Sequence, residues 1–274
     1  EGGFSRRVAL KRCLPAEMAS RRFREMFMAE ARIASGLHHP NVVAVWDCGV
    51  VDDLPFQVME LVEGVDSAAL LDRAGRLPAF VALHMAAEVA RGLAHVHGAL
   101  GPEGKPLGLV HRDVSPSNVL VSWEGEVKLA DFGIVYAREG VGAGTEAGVT
   151  KGKAAYMSPE QATAGRLDGR SDLFGLACTL NTWLTGDSPL SAGEGMVGLL
   201  GGTPLPLDAD LSEGVRALLS RSLQRDRAER LRDAAEFAVA LDGLLQDLGE
   251  FDPAGRLRAW LSQQRPPEVP STRG

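Results

Sequence analysis

The chain has 274 residues, 45% hydrophobic and 24% charged, with a formal net charge of −7. That is an ordinary globular composition, long enough for one large or two coupled domains, and its acidic balance argues against nucleic acid as the main partner. No run of about 18 apolar residues occurs, which excludes a hydrophobic membrane-spanning helix within the sequence, and Cys13, Cys48 and Cys178 lie too far apart for a C-x-x-C pair, which fits reduced thiols in a cytosolic setting and no zinc site.

Residues 6–13, RRVALKRC, read as a strand. Gly2-Gly3 before it reads as a hairpin turn, because a phosphate-cradling loop needs a strand on each side and more glycines. The chain opens at Glu1 without an initiator Met, so the expectation is a fragment whose first strands and Gly-rich loop lie upstream. Residues 16–37 read as a helix with Phe23, Phe27 and Ala31 at four-residue spacing, ended by Gly36 and Pro40. Val42–Trp46 and Phe56–Leu61 read as strands joined by the turn at residues 51–55. Pro78 to Ala99 reads as a long helix with Val81, Met85, Val89 and Leu93 on one face. His84, His95 and His97 on or near it read as packing or surface residues, and Gly101–Gly108 reads as a loop.

Residues 109–133 hold two short apolar runs, Val119–Val121 and Val127–Ala130, around the turn Trp123-Glu124-Gly125-Glu126. This is a hairpin pattern. It places Asp113, Asn118 and Asp131, side chains suited to protons and magnesium, at the hairpin's two open ends. A Gly/Thr-rich segment follows at 139–153. Ser171 then offers an N-cap for a helix through Thr185, ended by Gly186. That helix is apolar on most sides, so it belongs in a core. Helices are also expected at 212–223, 233–248 and 254–263, ahead of the disordered or linker-like RPPEVPSTRG.

H-R-D at 111–113, Asn118 five residues after Asp113, and D-F-G at 131–133 together resemble the signature set of the bacterial eukaryotic-type Ser/Thr protein kinases. The resemblance implies an α+β, two-lobed protein kinase-like fold. Residues 1–62 would form a small, incomplete β-rich N-lobe, 63–248 a helical C-lobe, and 249–274 a C-terminal helix and tail. It implies phosphoryl transfer from ATP, with Mg²⁺, to Ser/Thr hydroxyls of protein substrates, and a homodimeric encounter for autophosphorylation. A non-catalytic scaffold and a small-molecule kinase are the alternatives. The second would not be expected to carry the Ser158-Pro159-Glu160, Asp172 and Arg230 framework.

Residue roles follow from the same resemblance. Lys11, in Val8-Ala9-Leu10-Lys11, would hold the α- and β-phosphates, paired to Glu30. Asp113 would orient the substrate hydroxyl and accept its proton, while Asn118 and Asp131 would bind the metal. Adenine would bond to backbone groups of Glu60 and Val62, between Ala9 and Leu120. Glu160 and Arg230 would form a buried pair, and Asp172 would brace the H-R-D backbone. Arg112, next to Asp113, would accept an anion, for which a phosphate on Thr145 or Thr150 is the candidate; an ordinary Thr in a mobile loop is the other reading.

Two positions depart from the pattern. Ser115 stands where the family has Lys, and Lys153 where it has Thr. Either the two have exchanged roles, with Lys153 reaching back toward Asp113, or Lys153 faces solvent and Ser115 is tolerated.

Overall fold

A computed structural model describes residues 5–12, 21–52, 54–131, 153–190 and 195–266, with the backbone alone at 21–23 and 153. The short first strand β1 (Ala9–Arg12) alternates half-buried Ala9 and Lys11 with exposed Leu10 and Arg12, as a one-sided strand must. It pairs antiparallel with β3 (Leu54–Met59), which also pairs with β2 (Val45–Val51), giving a three-stranded sheet in the order β1-β3-β2. Helix α1 (Arg21–Ala34) packs on this sheet through Phe27 and Ala31. Gln57 of β3 is buried there and donates to the Phe27 carbonyl at 3.3 Å.

The strand expected at Val42–Trp46 starts three residues later. The backbone of 41–43 is committed elsewhere: Val43 N–H donates to Leu129 O (3.0 Å) and Leu129 N–H to Asn41 O (2.9 Å), with a parallel bridge between Val42 and Leu129. This segment therefore ties the first lobe to the hairpin of residues 119–129. Asn41 adds Nδ2 bonds to Glu88 Oε2 (2.6 Å) and Val127 O (3.0 Å). Gly92 makes room for it, since a Cβ there would lie 2.8 Å from the Asn41 carbonyl oxygen.

The second lobe is built on α3 (Ala79–His97), whose residues from Val81 to Val96 are almost all buried. Packed around it are α5 (Gly169–Thr185), α8 (Ala234–Asp247), α9 (Pro253–Gln264) and the hairpin strand β6 (Val127–Leu129). Helix α7 (Glu213–Ser222) lies against α5 and α8. As expected for a helix apolar all round, α5 is inaccessible from Ser171 to Trp183 and is closed by Gly186 at φ 90°. Its N-cap is Asp168, which accepts from Arg170 N–H, so the expected cap at Ser171 is wrong by one turn. Ser171 instead donates its hydroxyl to Glu160 Oε1 at 2.7 Å.

Several elements had no forecast. Strand β4 (Gly64–Asp66) pairs with β5 (Val119–Ser122), which pairs with β6, making a second three-stranded antiparallel sheet. Gly64 is required there, because a Cβ would lie 1.9 Å from the Val121 carbonyl oxygen. Helix α2 (Ser67–Ala74) follows, capped by Asp66 and seated by Trp183 Nε1–H donating to Ser67 Oγ at 3.0 Å. The remaining short helices are α4 (Pro159–Ala162) and α6 (Gly195–Leu200).

Glu160 of α4 faces Arg230 in a two-pronged ion pair, Nη1–Oε1 2.7 Å and Nη2–Oε2 2.8 Å. The guanidinium also donates to the carbonyls of Gln224, Arg170 and Arg225 at 2.8–3.2 Å, so all five of its N–H groups are used. Its side chain is fully buried. Removing one partner of such a pair strands the other and costs about 3–5 kcal/mol. Arg230→Ala is therefore expected to lower the melting temperature by several degrees, with activity falling as a consequence; an unchanged transition would contradict this role for the pair.

Candidate active site

The candidate site assembles from both lobes. From the first, Ala9 and Lys11 share the inward face of β1, opposite Met59 and Gln57 of β3. Lys11 Nζ lies 2.7 Å from Asp131 Oδ1 and 3.8 Å from Glu30 Oε1, so a single ammonium spans β1, α1 and the end of the hairpin. Glu30 is the better buried of the two carboxylates, with 17% side-chain exposure against 45% for Asp131.

From the second lobe comes the loop 111–118. Asp172, only 1% exposed in the first turn of α5, accepts from His111 N–H, Arg112 N–H and His97 Nε2, each at 2.7 Å. Burial opposes its charge, but the His97 contact and the Arg112 N–H bond outweigh that and hold its carboxyl below the usual range. Fully buried His111 accepts from Asp113 N–H at Nδ1 (3.3 Å) and contacts Ala130 O through Nε2 (3.1 Å), which fixes the Nε2–H tautomer. Burial pushes its pKa down, although Asp172 and Asp113 pull the other way. Asn118 Nδ2 donates to Asp113 O at 2.7 Å. The Asn118 backbone carbonyl accepts from Ala130 N–H at 2.8 Å, next to Asp131 in the chain. Arg112 at φ 71° and Asp131 at φ 57° both occupy the left-handed region that non-glycine residues avoid.

A pocket of about 300 Å³ opens beside this loop, lined by Val62, Gly64, Val65, Asp66, Ala69 and Leu120. Of the four residues expected around adenine, Val62 and Leu120 line it. Ala9, on β1 opposite Met59, and Glu60, which follows β3 with its N–H on the Ala44 carbonyl (2.9 Å), are not among its lining residues. The Glu60 side chain also makes an ion pair, 2.9 Å to Lys128 Nζ, which the sequence reading did not anticipate. Lys128 stands directly across from Leu120, which stands across from Asp66, so these three form one row over the second sheet.

The family model described as the protein kinase domain matches residues 4–239. The chain belongs to the protein kinase family. The tyrosine-protein kinase MasK of Myxococcus xanthus is 38% identical over 255 residues, which cover 89% of this kinase domain's chain and 39% of MasK. The serine/threonine-protein kinase PknL of Mycobacterium tuberculosis is 36% identical over 255 residues, covering 89% of the chain and 61% of PknL. The chain thus spans about two fifths to three fifths of these relatives. Among solved structures, the PknI kinase domain of M. tuberculosis aligns with a TM-score of 0.65 at 30% identity, over 86% of this chain and 84% of that one. The fold is accordingly the two-lobed kinase architecture, with an antiparallel N-lobe sheet and a helical C-lobe.

Within the kinase domain, ion pairs join Lys11, Glu30 and Asp131, Asn118 is bonded to the Asp113 carbonyl and accepts the Ala130 N–H on its own backbone carbonyl, the Glu160–Arg230 pair anchors α4, and Asp172 holds the 111–112 backbone. Arg112 is half-buried, and burial lowers its pKa against the pull of Asp172. Its Nε has no hydrogen-bond acceptor among the described residues. Phe132, Gly133, Thr145, Thr150 and the Lys153 side chain lie outside the described residues. Ser115 is 3% exposed, with its hydroxyl 3.2 Å from that of Ser117.

Four contributors escaped the sequence reading: Asp66, Lys128, His97 and Gln161. Asp66 ahead of Ser-Ala-Ala-Leu-Leu carried a readable N-cap signal, and a Lys inside the apolar run Val127–Ala130 signals a buried partner. His97 and Gln161 offered no local signal, because their partners lie 75 and 49 residues away.

Three imidazoles resist protonation in the folded chain. Burial lowers His111, His84 and His39, with His95 stacked on His39 at 5.1 Å adding to the effect there. In the unfolded chain they bind protons near the ordinary value of about 6.5. The unfolded state therefore takes up protons first, and stability is lost as pH falls from about 6.5 through the lower folded values. Melting temperatures measured from pH 8 to 5 are expected to hold steady above about pH 7 and to drop below about pH 6.5.

Proposed function

We propose that this chain is the catalytic domain of a protein kinase that uses ATP and Mg²⁺ to phosphorylate Ser/Thr hydroxyls of proteins. The observation that carries the reading is the Lys11 ammonium held between Glu30 and Asp131, across the cleft from the Asp113–Asn118 loop. A cation, two metal-suited oxygens and a carboxylate in one cleft are what transfer of a charged phosphoryl group requires.

The residues present fit the implied cofactor. Asp131 and the amide oxygen of Asn118 are hard donors, and two protein donors match Mg²⁺, which keeps most of its shell for water and phosphate. Among the described residues no group of three or more His, Cys, Asp and Glu gathers elsewhere to compete for a metal. Bound ATP with Mg²⁺ supplies the activated phosphoryl group. Lys11 neutralises phosphate charge, and Glu30 keeps its amine pointed into the cleft. Asp113 orients the attacking hydroxyl and takes its proton. The pocket of Val62, Val65 and Leu120 offers apolar walls for a base, with the Asp66 carboxylate at its rim as an acceptor for hydroxyls.

Arg112 supports regulation by phosphorylation. A half-buried guanidinium with an unsatisfied Nε gains most from a nearby dianion, and Thr150, or else Thr145, is the acceptor this reading favours. A homodimeric encounter would serve autophosphorylation of that loop in trans.

A second reading concerns the acceptor. MasK is named a tyrosine-protein kinase, and Ser115 replaces the cation that the Ser/Thr enzymes carry beside the catalytic Asp. Phosphoamino-acid analysis of the autophosphorylated full-length protein decides: phosphoserine or phosphothreonine supports the first reading, phosphotyrosine alone the second.

Asp113→Asn is expected to lower phosphoryl transfer about 10²–10⁴-fold while nucleotide binding persists; retained turnover in a radiolabelled-ATP assay would sink the assignment. In phosphopeptide maps of the active protein, Thr150 or Thr145 is expected to be modified, and Arg112→Ala is expected to remove the activation that modification brings.

A further inference from the structure

The peptide bond between Arg112 and Asp113 is gripped from both sides. Its N–H donates to His111 Nδ1 at 3.3 Å. Its carbonyl accepts from Gln161 Nε2 at 2.8 Å, across 49 residues of sequence. Arg112 itself sits at φ 71°, and its own N–H is held by Asp172 at 2.7 Å. A left-handed residue just before the proposed base keeps its conformation only when its surroundings over-determine it. Gln161 is the one side chain from the Ser158-Pro159-Glu160 side of the site seen to do this. Its Oε1 accepts from Ser158 N–H (3.1 Å) and Ser158 Oγ–H (3.0 Å), so the same amide closes the first turn of α4 and reaches the catalytic loop. Glu160, one residue earlier, is anchored by Arg230.

We propose that Gln161 is a positioning residue: it clamps the Arg112–Asp113 peptide to α4, so the placement of the Asp113 carboxylate is tied to the segment that follows residues 134–157. The inference rests on the kinase reading, in which Asp113 is the base. The two ends of the amide do separable work. The oxygen caps α4, and the –NH₂ group holds the loop.

Gln161→Glu separates them. A carboxylate still accepts both Ser158 bonds and suits a helix first turn, but it has no donor for the Arg112 carbonyl and repels it. Ser158→Ala does the reverse, weakening the cap and sparing the clamp. In the full-length protein, Gln161→Glu is expected to lower kcat about ten- to a hundredfold, since small misplacements of a reacting group cost that much, with KM for ATP within about twofold and the melting temperature nearly unchanged. Ser158→Ala is expected to lose thermal stability with kcat close to the parent. If instead kcat follows the melting temperature through both variants, or Gln161→Glu turns over like the parent, Gln161 is merely structural and the proposal is overturned. Amide hydrogen exchange over residues 111–118 gives a reading that needs no turnover. Faster exchange in Gln161→Glu supports the clamp, and exchange equal to the parent overturns it. A parent protein no more active than Asp113→Asn would sink the kinase reading, and the exchange measurement would still decide the clamp.

Discussion

Asp172 holds the 111–118 loop in a shape the loop would not keep alone. Residues 111–115 lie in no helix or strand, and Arg112 is left-handed, so their backbone needs partners from outside. A buried carboxylate with three 2.7 Å donors provides them. Desolvating that charge is costly, and the cost is offset by three short charge-assisted bonds, one from the buried His111 N–H and two from the part-buried Arg112 N–H and His97. The position of Asp172 is set in turn by α5, the most deeply buried helix, whose Phe174 and Trp183 are fully inaccessible. The chemistry of the loop is thus referenced to the centre of the C-lobe core, and Gly169 is part of the arrangement, since a Cβ there would lie 2.5 Å from His97 Nδ1.

The junction between the lobes follows the same logic with different groups. The 41–43 backbone joins Leu129 directly, Asn41 reaches both Glu88 and Val127, and Glu60 pairs with Lys128. Each of these contacts ends on β6 or on the helix beneath it. The hairpin that carries Asn118 at one end and Asp131 at the other is therefore also a part to which the N-lobe is attached. The N-lobe also packs on Val96 and Leu109 and stacks His39 on His95, so β6, close to both proposed metal donors, is one of several points of attachment.

What could be read from the sequence divides along physical lines. The hairpin, α3, α5 and the three C-terminal helices were legible because their apolar periodicity is strong and local, and Gly186 marks a stop. Lys11, Glu30, Asp113, Asn118 and Asp131 were legible as a set because their types and spacings match one chemistry, and the structure joins Lys11 to Glu30 and Asp131, and Asn118 to the Asp113 carbonyl. Strand β4 and helix α2 were missed: three residues are too short for a period, and β4 exists because Gly64 can approach Val121. The start of β2 was misplaced because Val42 and Val43 suit a strand by composition but are claimed by Leu129. Asp168 competed with Ser171 as the cap of α5, and Ser171 is occupied by Glu160, a tertiary demand that no local window contains.

The contacts also differ in kind. Glu160–Arg230 is bidentate, with one side chain fully buried and the other 12% exposed, and breaking such a pair costs several kcal/mol. Lys11–Glu30 is a longer contact, 3.8 Å, between side chains 35% and 17% exposed. The first is short, two-pronged and buried, and the second is longer and partly exposed. The floor of the cleft, with Asp113, Asp172 and α4, is therefore fixed by the fold. The opposite side, with Lys11 and Glu30, is held by partly exposed contacts, 3.8 Å between the two side chains and 2.7 Å from Lys11 to Asp131. The Lys11 ammonium, shared between Glu30 and Asp131, is where the less buried contacts of the first lobe meet the end of the hairpin.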